Sequence, residues 1–470
     1  MLSFGLHHQR PSFGPRTGAL LLKRPSGSIE LATPASIAAT SRGVVPHLTP
    51  AHAANLRCIQ LPFESFLEHI PPVPTLQSGP HPLHTFFGFN FAEQLLILTL
   101  RDPHDGRETP ANTDQYVSAV TGRGIRRVTP KAWVEYARVC LPDIVVALPD
   151  IPHTSPPFSQ KRVERSLTRS SSWLSHLLAP SPAPLNVFVH MAGGINTSAR
   201  GAFVANLKET LYGQEADAIR PHSCLDDGVA GYVVDLAPLR IELAAEPLDE
   251  PIPTVADLLK ASLTSLPTLK PRLVNSVSSP HEILFLVRDV GVDLFDSKWA
   301  QDAASAGVAL DFVFPAPNFE KRQNIGHNLY DTAYAQDFSS LSTFPCSCAA
   351  CRPVRPTEIV AHSTFDKPID ASRSDAPSTA RAYIHHLCLT HEMSAHTLLV
   401  LHNTAVLEAF FASIRDIITR GDDFPRLVDE FVTAYDEGAT LMEEARTMWR
   451  QVDLARGKGR LAREKEKDAS

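Results

Sequence analysis

The chain has 470 residues, of which 43% are hydrophobic and 20% are charged, so it can bury a large core. This length would accommodate one barrel of about 250 residues together with insertions. The formal net charge of −7 excludes phosphate binding by bulk electrostatics, so any contact with nucleic acid needs a local basic patch or a partner.

Short runs of apolar and β-branched residues, separated by polar or helical stretches, predict buried parallel strands. In chain order the runs are LLILTL (95–100), DIVVAL (143–148), NVFVHM (186–191), GYVVDL (231–236), EILFLV (282–287) and LDFVF (310–314). Helical periodicity lies between them, as in 161–178 and in 129–141, where Thr129 is a candidate N-cap before Pro130. This alternation predicts a (β/α) barrel, although a doubly wound open sheet gives the same local pattern.

Three segments are predicted to be surface loops or insertions, because they are rich in proline or lack a sustained period: 71–82, 179–184 and 352–379. From about Asp422 a helix is predicted to run through Trp449 and to end in a charged, solvated tail. We find no apolar run of membrane-spanning length and no secretory signal at the N-terminus. We therefore expect a soluble, intracellular protein without a transmembrane segment.

The seven cysteines are unevenly placed, which favours a metal site over a disulfide framework. Cys346, Cys348 and Cys351 share one short segment, and thiolates at this spacing can converge on a soft cation with tetrahedral preference, best matched by Zn²⁺. Candidates for a fourth ligand on the predicted helical stretch 381–415 are His385, His386, His391, His396 and His402. Spacing alone cannot choose among them. The alternative is that the cysteines are small buried hydrophobes and the histidines ordinary surface residues.

The residues around this motif resemble the zinc subdomain of the tRNA-guanine transglycosylase family. The similarity comprises C-x-C-x-x-C, R-A-Y-I-H-H-L at 381–387, Glu392, Leu398-Leu399 and His402-Asn403. In the family the histidine of the H-N pair is the fourth ligand. The resemblance therefore implies one structural Zn²⁺ held by Cys346, Cys348, Cys351 and His402. It also implies that 352–379 is an insertion, since the third cysteine of the family lies close to R-A-Y-[IL]-H-H-L.

The resemblance extends over most of the chain. Residues 16–50 look like the opening hairpin of the family and the segment after it, and later barrel motifs match, in order, 143–152 with 161–174, 189–203, 226–236 and 290–297. The implied fold is a (β/α)8 TIM-like barrel with an N-terminal hairpin over 1–340. A zinc-binding subdomain over 341–421 contains the 352–379 insertion, and a C-terminal helix with a charged tail covers 422–470.

The positions that carry catalysis in the family differ in this chain. The D-S-G-G-F-Q loop of the family falls on 97–103, so Leu100 occupies an aspartate position, and leucine can neither accept a proton nor hydrogen-bond a purine. In the family's V-Q-G-G segment a glutamine helps to hold the base; this segment is Met191-Ala192-Gly193-Gly194 here, so Ala192 takes the glutamine position and the amide is missing. Asp235 lies in the segment that corresponds to the glycine-rich base-recognition loop, where it would obstruct a base. Residues 297–300 lack the arginine pair that meets tRNA phosphates in the family.

Asp296 is retained, because it falls where the nucleophilic aspartate of the family attacks the ribose C1′. Covalent catalysis also requires a bound base and protonation of the leaving group, and the residues that the resemblance would assign to both steps are lost. We therefore expect no catalytic residue in this chain. Asp296 is predicted to be a vestigial carboxylate with a structural role.

These losses match a non-catalytic paralogue in the family, which 83–89 and 98–103 also resemble. The resemblance implies a heterodimer with a catalytic subunit that exchanges guanine for queuine at the wobble position of tRNAs with GUN anticodons, with tRNA bound through the complex. We expect a cytoplasmic location, with peripheral attachment to the mitochondrial outer membrane left open. One alternative is a competent transglycosylase with Asp296 as nucleophile. Another is a zinc-stabilised barrel that serves as an interaction or adaptor protein without tRNA.

Four further motifs receive no functional assignment. Gly193-Gly194 is typical of a strand-end turn, and His84 is expected to be a satisfied core residue. GRGIRR (122–127) and RGKGRLAREK (456–465) are dense basic patches, for which a solvated face is the expected interpretation.

Overall fold

The computed structural model describes residues 2–8, 11–24, 27–246, 253–352 and 379–457. Its strands are β1 (Leu2–Leu6), β2 (Gly18–Arg24), β3 (Gly27–Thr33), β4 (Ala35–Ala39), β5 (Cys58–Pro62), β6 (Leu95–Thr99), β7 (Val117–Thr121), β8 (Gly124–Val128), β9 (Ile144–Val146), β10 (Val187–His190), β11 (Val229–Asp235), β12 (Arg272–Asn275), β13 (Leu294–Asp296), β14 (Val308–Leu310) and β15 (Gly326–Asn328). Its α-helices are α1 (Pro50–Ala53), α2 (Pro82–Phe87), α3 (Pro130–Cys140), α4 (Gln160–Leu178), α5 (Thr197–Lys208), α6 (Gly213–Ala218), α7 (Leu236–Leu243), α8 (Val255–Leu263), α9 (Pro280–Asp289), α10 (Lys298–Ser305), α11 (Arg381–Leu389), α12 (Met393–Arg420), α13 (Phe424–Ala434) and α14 (Ala439–Gly457).

Eight parallel strands form a closed barrel in the order β4-β5-β6-β9-β10-β11-β12-β13. The barrel closes between its last and first strands, where Leu294 pairs with Ala35. Its interior is filled by apolar side chains from alternate strand positions, such as Leu95 and Ile97 of β6. The structure therefore confirms the predicted TIM-like barrel and excludes the open doubly wound sheet.

Four of the six predicted strand segments lie in the barrel, in β6, β9, β10 and β11. The prediction for 282–287 is wrong, because this run lies in helix α9, which begins at Pro280. The prediction for 310–314 is wrong over most of its length, since β14 ends at Leu310 and pairs antiparallel with β15 outside the barrel. The physical reason is that a short apolar run does not distinguish a buried strand from a buried helix or an edge segment.

Two helices predicted between barrel strands are present with side-chain caps. At the start of α3, Thr129 Oγ1 accepts a hydrogen bond from Ala132 N at 3.1 Å, as its position before a proline predicted. At the start of α4, Ser159 Oγ accepts from Arg162 N at 3.3 Å. These caps satisfy backbone N–H groups that have no partner within the helix.

The helices predicted near the C-terminus are each divided in two. The stretch 381–415 forms α11 and α12, because His391 between them adopts a left-handed φ of 59° and ends the first helix. The segment predicted to be one helix from about 422 forms α13 and α14, with Gly438 at a φ of 75° between them. Helical periodicity continued across both breaks, so the sequence pattern did not locate them.

The N-terminal strands β1, β2 and β3 form an antiparallel sheet that packs on the barrel core. Two buried ion pairs fix this segment to residues that precede barrel strands. Arg16 pairs with Asp293, which precedes β13, and Arg24 pairs with Asp143, which precedes β9. The sheet therefore covers the N-terminal end of the barrel, opposite the end where catalytic residues lie in such folds. His84 is a buried core residue, as expected, and its Nε2 lies 3.3 Å from Asp143 Oδ2, while its Nδ1 has no hydrogen-bond partner among the described residues.

The chain forms two compact units. The first comprises Met1–Ser278, Glu282–Lys298 and Arg415–Phe424 and contains the barrel. The second comprises Ser279–His281, Trp299–Ile414 and Pro425–Ser470, and has an aromatic core that includes Phe312, Phe314, Phe410 and Phe431. The predicted divisions at 340 and 421 stay a prediction. Most of the predicted insertion, 353–378, and the charged tail from 458 lie outside the described residues.

Helix α12 has the length and composition of a membrane span, with a mean hydropathy of 1.5 in its most apolar window. However, 44% of that window is buried inside the protein. The helix also carries His402 and Asn403, whose side chains bond to backbone groups of the second unit. A core helix of a folded protein meets the same criteria, so length and hydropathy do not assign α12 to a membrane.

Candidate metal centre and barrel mouth

Cys346, Cys348, Cys351 and His402 converge on one point of the second unit. Their ligand atoms all lie within 4.8 Å of one another. Nδ1 of His402 lies 3.6, 3.6 and 3.4 Å from the three sulfur atoms in chain order. A tetrahedral ion bonded at about 2.3 Å to sulfur and about 2.0 Å to nitrogen places such atoms about 3.5 Å apart. The four residues therefore have the donor set and the dimensions of a group that can hold a metal ion.

Local hydrogen bonds hold the cysteine turn and orient His402. The cysteine turn is closed by Cys351 N, which donates to Cys348 O at 3.2 Å. On α12, His402 Nε2 donates to Leu310 O at 2.8 Å, which leaves Nδ1 facing the sulfur atoms. A hydrogen bond of this kind fixes the tautomer and orientation of a metal-binding histidine. The adjacent Asn403 Oδ1 accepts from Leu310 N at 2.9 Å and holds the helix against β14.

The other candidate histidines have different surroundings. His385 Nδ1 contacts Leu329 O at 2.9 Å, and His396 Nδ1 contacts Ala304 O at 3.1 Å. Within the described part of the chain, His402 is the histidine that joins the three cysteines. The structure thus brings together the set that the family resemblance implied, where spacing alone had left five histidines open.

The second candidate site is the mouth of the barrel, at the carboxyl ends of the strands, where (β/α)8 enzymes have their active sites. Leu100 directly follows β6, is 4% exposed and lines a cavity together with His190, Asp235 and Asn275. An apolar side chain therefore lies where proton transfer to or from a substrate would require a polar one.

Asp296 at the end of β13 is 1% exposed, and both of its carboxylate oxygens are engaged. Oδ1 accepts from Lys298 N at 2.9 Å and lies 3.0 Å from Nε2 of His104. Oδ2 accepts from Ser276 N. Attack on a substrate atom would therefore first require His104 to move away from the carboxylate.

His104 bridges two carboxylates in this mouth. Its Nδ1 lies 2.9 Å from Asp102 Oδ1, opposite the contact of Nε2 with Asp296. Its backbone N donates to the same Asp102 oxygen at 3.0 Å, so the Asp-Pro-His sequence forms a compact turn after β6. We did not predict His104 or Asp102 from the sequence. The available signal was a histidine two residues after an aspartate in a loop at the carboxyl end of a barrel strand.

The two carboxylates change the protonation of His104. Burial by itself would lower the pKa of this imidazole, but the charge of Asp296 and the hydrogen bonds to Asp102 and Asp296 raise it to about 10. The ring is therefore an imidazolium at neutral pH and supplies an internal cation for both acids.

This charge makes stability depend on pH. Because the pKa of His104 is about 10 in the folded protein and near 6.5 when unfolded, its contribution is complete below about pH 6.5 and is lost as the pH rises through 10. We expect wild type to be more stable than His104→Gln at pH 6, and this difference to shrink steadily towards pH 10. Denaturant unfolding across this range measures it, with the exposed His176→Gln as control. A difference that grows with pH would contradict the assignment.

Asp235 is a second buried carboxylate in the mouth. Its Oδ1 accepts from Asn275 Nδ2 at 2.8 Å, and its Oδ2 lies 3.1 Å from His190 Nε2. Burial would raise the pKa of Asp235, but the charge of His190 and these hydrogen bonds lower it, so the side chain is ionised. Ala192, which takes the position of the family's glutamine, lines the adjacent cavity between Met191 and Gly193. A purine in this mouth would therefore meet the carboxylate of Asp235, and at position 192 it would meet a methyl group in place of a glutamine amide.

Comparison with known proteins identifies the family. The family model described as queuine tRNA-ribosyltransferase matches residues 12–437. Three similar proteins carry the name queuine tRNA-ribosyltransferase accessory subunit 2. The protein from Schizosaccharomyces pombe is 26% identical over 415 residues, covering 86% of this chain and 80% of the relative. The protein from Drosophila yakuba is 26% identical over 426 residues, covering 89% of each. The protein from Danio rerio is 25% identical over 456 residues, covering 88% of this chain and 96% of the relative. Because the family model spans most of its length, this chain belongs to the queuine tRNA-ribosyltransferase family.

Proposed function

We propose that this chain is the non-catalytic subunit of a heterodimeric queuine tRNA-ribosyltransferase. A catalytic partner exchanges guanine for queuine at the wobble position of tRNAs with GUN anticodons, and this chain contributes a folded platform for the pair. Its membership of the family and the shared name of its relatives support this role. The absence of catalysis by the chain itself rests on the chemistry of the barrel mouth.

The proposal rests on two residues at the barrel mouth, the engaged carboxylate of Asp296 and the apolar side chain of Leu100. Base exchange through a covalent intermediate needs an accessible nucleophile, a group that transfers a proton and a pocket that holds the base. Asp296 is buried, with His104 and two backbone N–H groups on its oxygens. Leu100 offers no proton, and Asp235 places a negative charge in the pocket. His104 therefore blocks the nucleophile, Leu100 replaces the group that transfers a proton, and Asp235 disfavours binding of the base.

We further propose that the metal is one structural Zn²⁺, held by Cys346, Cys348, Cys351 and His402. Three thiolates and one imidazole are a donor set that Zn²⁺ prefers, and four protein ligands leave no open position for substrate. The ion would supply a cross-link between the cysteine turn and α12. The hydrogen bond from His402 to Leu310 supports this assignment because it presents Nδ1 to the ion.

Co-expression with a catalytic transglycosylase tests the proposal. We expect the two chains to purify together and to incorporate labelled queuine into tRNA, and we expect this chain alone to show no exchange above background. Turnover should be abolished by replacing the nucleophilic aspartate of the partner. Exchange by this chain alone at an ordinary enzymatic rate would refute the proposal.

Asp296→Asn in the same pair provides the matched control within this chain. Asparagine keeps the size of the side chain and an acceptor oxygen for one of the two backbone N–H groups, but it cannot act as the nucleophile. We expect the exchange rate per folded complex to stay within about threefold of wild type, which corresponds to less than 1 kcal/mol. A loss of more than about tenfold would assign Asp296 a catalytic role.

A further inference from the structure

The carboxyl-end rim of the barrel carries a cluster of arginines that the proposed function does not use. Arg42 lies in the loop after β4, while Arg123 and Arg126 belong to the β7–β8 hairpin inserted after β6. Glu68, in the segment after β5, lies between them. The loops after three adjacent barrel strands therefore converge at this cluster, which contains two of the three arginines of the GRGIRR motif (122–127).

One carboxylate lies among these three guanidinium groups. Arg42 Nη2 is 4.0 Å from Glu68 Oε1, and Arg123 Nε is 3.9 Å from Glu68 Oε2. Arg126 Nε donates instead to the backbone oxygen of Leu67 at 3.2 Å. Exposed pairs at such distances contribute little, and one negative charge does not balance three positive ones. The cluster is therefore locally positive in a chain whose formal net charge is −7.

The hairpin presents these side chains from a fixed base. Strand β7 is buried along its whole length, and Val120 N donates to Glu64 Oε2 at 2.9 Å. At the tip, Gly122 N donates to Glu68 Oε1 at 3.0 Å. The side chains of Arg42 and Arg123 are nevertheless 72% and 65% exposed. Because the backbone is fixed and the guanidinium groups are exposed, they can contact several negative charges along an extended anion.

We propose that Arg42, Arg123 and Arg126 bind the phosphate diester backbone of tRNA. Guanidinium groups bind phosphate oxygens through paired, charge-assisted hydrogen bonds, and the bound anion relieves repulsion among the three cations. This inference rests on the proposed function, which brings tRNA to the complex. It names the part of this chain that touches the RNA backbone without reading its sequence.

The test uses the full-length chain paired with its catalytic subunit and an unmodified transcript of a tRNA with a GUN anticodon. The double variant Arg42→Gln/Arg123→Gln should bind the transcript about tenfold more weakly. The slope of log K against log salt concentration should also become shallower by about one to two, because fewer counterions are released. Glu68→Gln should shift affinity in the opposite direction, since it removes the negative charge but keeps an acceptor for Gly122 N.

Arg220→Gln is the matched control. Arg220 is also exposed, at 75%, but it pairs with Asp217 at 2.7 Å and precedes β11, away from the rim. Its replacement should leave affinity and salt slope unchanged. Unchanged tRNA binding by the double variant would overturn the inference. It would also be overturned if the double variant kept its affinity for tRNA but no longer paired with the catalytic subunit on gel filtration. That result would assign the cluster to a protein partner. If the wild-type pair itself fails to bind or modify tRNA, the proposed function fails first.

Discussion

With Zn²⁺ as the proposed ion, Cys351→Ser should abolish metal binding and unfold the second unit. The side chain is 8% exposed and contributes one of four ligand atoms, so its loss leaves an incomplete site in a buried position. Structural zinc contributes on the order of 10 kcal/mol to folding, which is comparable with the total stability of a domain. We expect zinc content measured by mass spectrometry to fall from about one ion per chain to near zero, with loss of the cooperative thermal transition of this unit.

Cys224→Ser is the control for this experiment. Cys224 lies in the first unit, is partly exposed and is not a member of the converging group. Its replacement should leave zinc content and melting temperature unchanged. A Cys351→Ser protein that keeps a full equivalent of zinc and melts as wild type would contradict the assigned ligand set.

Asp293→Ala should destabilise the barrel by about 3–5 kcal/mol, because it leaves the positive charge of Arg16 buried without its partner. Both side chains of the pair are almost fully buried, and Asp293 also accepts from Arg272 N at 2.8 Å. The change therefore removes an ion pair and a backbone hydrogen bond at the base of β13. Denaturant unfolding followed by the fluorescence of buried tryptophans such as Trp133 and Trp173 measures the loss.

An exposed ion pair serves as the control, because it tests whether the loss of stability depends on burial of the pair. Asp217→Ala removes the partner of Arg220 on the surface, where a pair contributes about 1 kcal/mol or less. We expect its unfolding midpoint to stay close to that of wild type. Equal destabilisation by Asp293→Ala and Asp217→Ala would contradict the role given to the buried pair.

The sequence predicted an element correctly where the element is determined by residues within the segment itself, such as a helix cap or a continuous apolar run. Thr129 before Pro130 predicted the start of α3, and strands such as β6 and β10 were evident because both faces of a parallel barrel strand are apolar. The run at 282–287 has the same composition but forms α9, and only contacts made after folding distinguish the two. The barrel strands β12 (Arg272–Asn275) and β13 (Leu294–Asp296) each contain only two consecutive apolar residues between polar ones, too few to stand out as an apolar run.

The sequence predicted more of the residues of the metal centre than of the contacts in the barrel mouth. Closely spaced cysteines pointed to a metal because their convergence is enforced by the local chain, whereas His402 required the family resemblance. At the mouth, Leu100 and Asp296 were identified from the positions of family motifs. The contact between His104 and Asp296 was not, because it joins residues 192 positions apart. Such a contact depends on closure of the barrel and leaves no periodic or spacing signal.

Under the proposed function, the turn formed by Asp102 and His104 means that no single substitution would give this chain activity of its own. Reversion of Leu100 to aspartate would restore one functional group, yet Asp296 would still be covered by an imidazolium. Removing that ring alone would leave two acids unneutralised and no proton carrier. Base exchange by this chain alone would therefore require changes at Leu100 and His104 together, in addition to changes in the base pocket at Ala192 and Asp235.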